Sequence, residues 1–141
     1  MSVAGWATAV SGHRVSEGRL TVIGGAGGSY FIEELRRGAL GTMPFCSQPA
    51  DFVAVWDHFR AGDVVKARQV FDSTIMAVNR LAAQSGDLFY HFHKELLVRR
   101  GVIRTAFVRS PTTSPDPVTR GEFDELLTAI VPQAQPFTLR F

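Results

Sequence analysis

Chemistry that depends on sulfur, on lysine or on a lipid-spanning run finds little material in this 141-residue chain. It has one cysteine, Cys46, so no internal disulfide forms, and a cytoplasmic setting is the default expectation. The 15 basic residues are 13 Arg and two Lys, so any amine nucleophile is Lys66 or Lys94. No apolar run approaches the ~20 residues that a membrane-spanning helix needs. The opening MSVAGWATAVSGHR lacks the basic start and long apolar core of an export signal. A net charge of +2, with the basic side chains scattered, makes no phosphate-binding stripe, so neither nucleic acid nor membrane is an expected partner.

What the chain does have is apolar mass. At 45% apolar and 20% charged, with aromatic residues spread along its length, it can bury one sizeable core. Residues 3–10, VAGWATAV, are small and apolar enough for a short helix. The run LTVIGG reads as a buried parallel strand. A glycine loop follows, and then a short helix: Ser29 is placed to cap it, Glu33 and Glu34 sit at its positive end, and Arg36 and Arg37 precede the stop at Gly38. Gly41 leads into TMPF, a second short strand.

From Asp51 the period turns helical, with Phe52, Val55, Trp56 and Phe59 on one face and a stop at Gly62. Asp63 caps a second helix whose apolar face, from Ala67 to Ala82, continues until Ser85 and Gly86 break it. A third helix spans residues 88–100 and ends at Gly101. The proline-rich RTAFVRSPTTSPDPV reads as an extended connection. Thr119 with Glu122 has the form of a capping box, opening a helix that carries Phe123, Leu126, Leu127 and Ile130. The tail VPQAQPFTLRF is apolar but punctuated by proline, and the sequence does not place it.

GGAGGS invites a nucleotide-binding reading, since glycine loops let backbone N–H groups approach an anion. The spacing excludes it. Position 30, where the dinucleotide pattern needs glycine, is Tyr, and no Gly-Lys-Ser/Thr follows. Anion or carboxylate contact through the backbone and a plain tight turn both stay open. His91 and His93 are two apart on a helix and point in different directions, so no metal pair is expected. Without a recognisable histidine partner, Cys46 reads as a core residue. No Gly-x-Ser-x-Gly elbow is present.

Taken in order, GGAGG, EELRRGALGTMPF, FRAGDVVKARQVFD, FHKELLVRRGVI and VRSP before a capped last helix resemble the carboxyl-terminal half of the dihydrodipicolinate synthase and N-acetylneuraminate lyase family. The resemblance implies an α/β fold: the last two strand-helix units of a TIM (β/α)8 barrel, residues 1–62, followed by a C-terminal helical extension, residues 63–141. Together these form one unit, mostly helical by residue count. LTVIGG corresponds to the seventh strand and GTMPF to the eighth. Gly24 and Gly25 at the strand end, with Gly25 facing the substrate, and Met43 beside the bound acid become candidate substrate-binding residues. Arg109 and Pro111 match a structural pattern of the family.

The implied activity is that of an aldolase or lyase acting on pyruvate or another 2-oxo acid through a Schiff base, with no separate cofactor and no metal. A whole barrel takes about 250 residues, so the chain corresponds to about half of one. The imine-forming lysine is expected upstream of Met1, and no catalytic residue is assigned here. Inactivity of the chain alone is the expectation. The alternative is a non-catalytic interaction module, because the edge of an unfinished sheet pairs readily; the expected partner is a second copy or a complementing amino-terminal half.

Overall fold

The computed structural model describes residues 20–131. The helix expected at residues 3–10 and the tail from residue 132 lie outside that range. The chain divides into two compact units, the break falling between Phe71 and Asp72.

In the first unit, the two expected strands are reduced to one isolated parallel bridge, Gly24 with Thr42, and no longer strand forms among the described residues. The Gly24 N–H donates to Gly41 O (2.9 Å), Met43 N–H to Gly24 O (3.0 Å) and Leu40 N–H to Val22 O (2.9 Å). Two segments rich in glycine, with no third beside them among the described residues, offer few ladder bonds and little side-chain packing. The chain then turns through Ala26, Gly27 and Gly28, all left-handed at φ 51°, 63° and 75°.

Helix α1 (Phe31–Leu35) follows; its cap position is Tyr30 rather than the expected Ser29, and no side chain caps it. Gly38, at φ 91°, turns the chain out of it. Helix α2 (Pro49–Arg60) starts two residues before Asp51 because Pro49 fits the first turn, where a donor N–H is not needed. Gly62 is left-handed at φ 84°, and Asp63 caps α3 (Val64–Val70) by accepting from Lys66 N–H at 2.9 Å. The interior holds Phe31, Ile32, Leu35, Phe52, Val55, Ala67 and Phe71. Phe31 lies tilted against Phe52 (5.6 Å between centroids) and stacked on Trp56 (6.5 Å).

Instead of one regular helix from Asp63 to Ser85, a π-turn at Phe71–Ile75 separates α3 from α4 (Met76–Ala82). The second unit packs α4, α5 (Leu88–Arg99) and α6 (Pro117–Ile130) around Val78, Ala82, Leu88, Phe92, Leu96, Phe123 and Leu127. Phe92 and Phe123 stack at 4.2 Å. Gly101, at φ 71°, terminates α5.

The cap of α6 is Asp116, not Thr119. Its Oδ1 accepts the N–H groups of Val118 (2.9 Å) and Thr119 (3.1 Å), and the Thr119 hydroxyl donates to Oδ2 at 2.6 Å. A carboxylate followed by Pro117 outcompetes the capping box that begins three residues on. The Thr119 hydroxyl and the N–H bonds hold the Asp116 carboxyl below its ordinary pKa. Its cap therefore stabilises fully above the usual carboxylate range and is lost as pH falls through the lowered value.

Candidate functional site

Successive residues of an extended segment face opposite sides, so the Gly24–Thr42 bridge has a back and a front. Helix α1 fills the back. A Cβ on Gly24 would stand 1.7 Å from Glu34 Oε2 and 2.2 Å from its Cδ, so the carboxyl occupies the space that any side chain at position 24 would take. Among the described residues the front is open: a Cβ on Gly25 or Gly41 would meet none of their atoms within 4 Å, and the flanking Ile23 and Met43 are 56% and 73% exposed.

Of the three candidate residues, Gly25 and Met43 thus share the front. Gly24 is turned to the back, and both its backbone groups are committed to the bridge. The front is a shallow wall of glycine backbone between two apolar side chains, suited to a small flat molecule held close to the main chain.

Glu34 holds the first-turn place that the helix dipole favours, but that rule says nothing of its burial, and it is 2% exposed. Its neighbour Glu33 takes the surface role and pairs with Arg68 at 2.5 Å. The available signal was spacing: position 34 falls three residues after Phe31 and beside Leu35, on the apolar face of the helix. Burial pushes the Glu34 carboxyl above its ordinary pKa; the Gly25 N–H, which donates to it, offsets part of this, and the charge of Glu33 adds to it. A raised carboxyl favours the folded state most at low pH, and that contribution falls as pH rises through its pKa.

The other chemistry-bearing side chains lie elsewhere. Cys46 is exposed, against the core role expected of it. Lys66 is exposed at the start of α3, and Lys94 Nζ donates to Phe107 O at 2.7 Å in the second unit. His91 Nε2 lies 3.1 Å from Thr112 Oγ1, while His93 is buried edge-on to Phe89 at 4.5 Å. The two point apart, as their helical spacing requires. Among the described residues, no group of three or more His, Cys, Asp or Glu side chains gathers where it could hold a metal, and no helix is long and apolar enough to cross a membrane.

A dihydrodipicolinate synthase structure from Rhodopseudomonas palustris superposes over 89% of the chain with a TM-score of 0.75 and 28% identity. The chain is similar to a part of a dihydrodipicolinate synthase. It spans less than half of that protein, 42% of its length. A dihydrodipicolinate synthase from Oceanobacillus iheyensis gives the same TM-score, 0.75, at 19% identity, over 92% of this chain and 44% of its own; at that identity the likeness concerns the fold alone. No protein-family model and no curated protein matches the chain. Both synthase structures share its path, although the sheet in the described residues has shrunk to one bridge.

Proposed function

We propose that the chain is the part of a dihydrodipicolinate synthase-like aldolase or lyase that forms one wall of a 2-oxo-acid site, in a cytoplasmic enzyme working through a Schiff base. The observation that carries this reading is the open front of the bridge. Gly25 and Gly41 leave room for a small planar acid, and Met43 and Ile23 bracket it with apolar surface. In imine formation a neutral amine adds to the ketone carbon, and loss of water leaves a C=N bond that draws electrons from the adjacent carbon. Lys66 is exposed on α3 and the Lys94 amine is bonded to Phe107 O, and the sequence has no other lysine, so in this reading the amine is supplied by a polypeptide segment other than these 141 residues. The role of the chain in the reaction is to orient the acid and shield it on one side.

The same pair of bridged segments favours a second reading, an association module. Leu20, Ile23, Leu40 and Met43 are 63%, 56%, 59% and 73% exposed and cluster on the bridged segments. Apolar side chains around segments with no further strand beside them among the described residues attract additional strands, from an amino-terminal half or a second copy. Sedimentation velocity on the purified chain at micromolar concentration is expected to find it larger than a monomer. A stable, well-folded monomer contradicts both the incomplete-wall reading and the association module.

A further inference from the structure

We propose that Glu34 is a positioning residue of this wall: from behind the bridge it holds the Gly25 N–H and so sets the orientation of the backbone that the front presents to a 2-oxo acid. The inference rests on the wall reading for its purpose, but not for its geometry. Gly25 is held on both sides, its N–H by the Glu34 carboxyl and its carbonyl by Gly28 N–H at 2.9 Å. Oε2 is buried without a hydrogen-bond partner, so the bond to Gly25 runs to the other oxygen.

Three features make this more than ordinary packing. A side chain at position 24 would displace the Glu34 carboxyl, which lies where its Cβ would be. The turn that Gly25 opens is left-handed at three successive residues, including Ala26, a non-glycine residue at φ 51°. Such a backbone persists only where its surroundings hold it. Burying a carboxyl with one oxygen unpartnered costs stability that an apolar residue of similar size does not. Stability alone gives no reason for an acid at position 34, whereas a rigid acceptor aimed at one N–H does.

Thr42 extends the arrangement. It faces the same side as Glu34 from the paired segment, one strand spacing of about 4.8 Å away, and its hydroxyl is likewise buried without a hydrogen-bond partner. Neither atom bonds to the other, so the Gly25 N–H is the contact through which the carboxyl acts on the wall.

Amide hydrogen exchange and 15N spectra of the full chain test the proposal without requiring any oxo acid to bind. In Glu34→Ala, exchange at Gly25 is expected to accelerate by about tenfold, the effect of losing one such hydrogen bond, with α2 amides such as Val55 unchanged. Glu34→Gln, which keeps an acceptor, is expected to restore protection. In the native chain the Gly25 amide shift should follow pH through a transition above the ordinary carboxylate range, and Glu34→Gln should abolish it. If Glu34→Ala does not fold, the titration and the Gln variant decide the matter. A Gly25 amide that neither titrates nor loses protection overturns the proposal and leaves the wall reading untouched. A failure of the wall reading, seen by sedimentation or trapping, leaves these amide measurements standing.

Discussion

Gly28→Ala is expected to destabilise the first unit by roughly 3 kcal/mol, seen as a lower midpoint in equilibrium denaturation. Two costs add. Gly28 sits at φ 75°, where an L side chain costs about 1–2 kcal/mol. Its new Cβ would also stand 2.4 Å from both Cε1 and Cζ of Phe52. That ring is 7% exposed and already leans on Phe31 at 5.6 Å, so it has no room to withdraw. Overpacking of this kind costs about 1–3 kcal/mol. Gly41→Ala supplies the control, since a Cβ there meets none of the described residues within 4 Å, and it is expected to cost less than about 1 kcal/mol. Equal midpoints for the two variants would contradict the packing of the glycine loop on α2.

Acidification from pH 6.5 to about 4 is expected to remove roughly 3 kcal/mol of stability through His93 alone. The ring is 2% exposed, and burial lowers its pKa from 6.5 to about 4. Below pH 6.5 the unfolded chain takes up a proton that the folded chain refuses until about pH 4, so the unfolded state gains across that window. The contribution is therefore complete above pH 6.5 and lost on the way down. His93→Gln removes the titration whatever it costs at neutral pH. The stability difference between variant and native protein should shift in favour of the variant as pH falls from 7.5 to 4.5. A constant difference would mean that His93 is not held neutral by burial.

Much of the helical layer was legible because local chemistry specifies it. Asp63 as a cap, Gly38, Gly62 and Gly101 as left-handed stops, and the divergence of His91 from His93 all follow from residue type and spacing. Where two local signals competed, as with Asp116 and Thr119, the stronger acceptor beside proline prevailed. The likeness to dihydrodipicolinate synthase was legible only from the order of segments, since no single motif carries it. What stayed hidden depends on contacts between distant residues. Whether LTVIGG and GTMPF become full strands depends on neighbours to pair with, and among the described residues they have only each other. Glu34 satisfies the helix-dipole rule so well that its burial passes unnoticed until Gly24 is seen to leave space for it.

Incubation of the purified chain with pyruvate and sodium borohydride, followed by intact mass measurement, tests the central claim most directly. Borohydride reduces an imine to a stable amine, so any lysine that forms a Schiff base is marked permanently. An unchanged mass is the predicted result, because neither Lys66 on its exposed helix nor Lys94 bonded to Phe107 O belongs to the wall formed by Gly25, Gly41 and Met43. A stoichiometric pyruvate adduct on either lysine would contradict the account and make this chain a complete imine-forming catalyst.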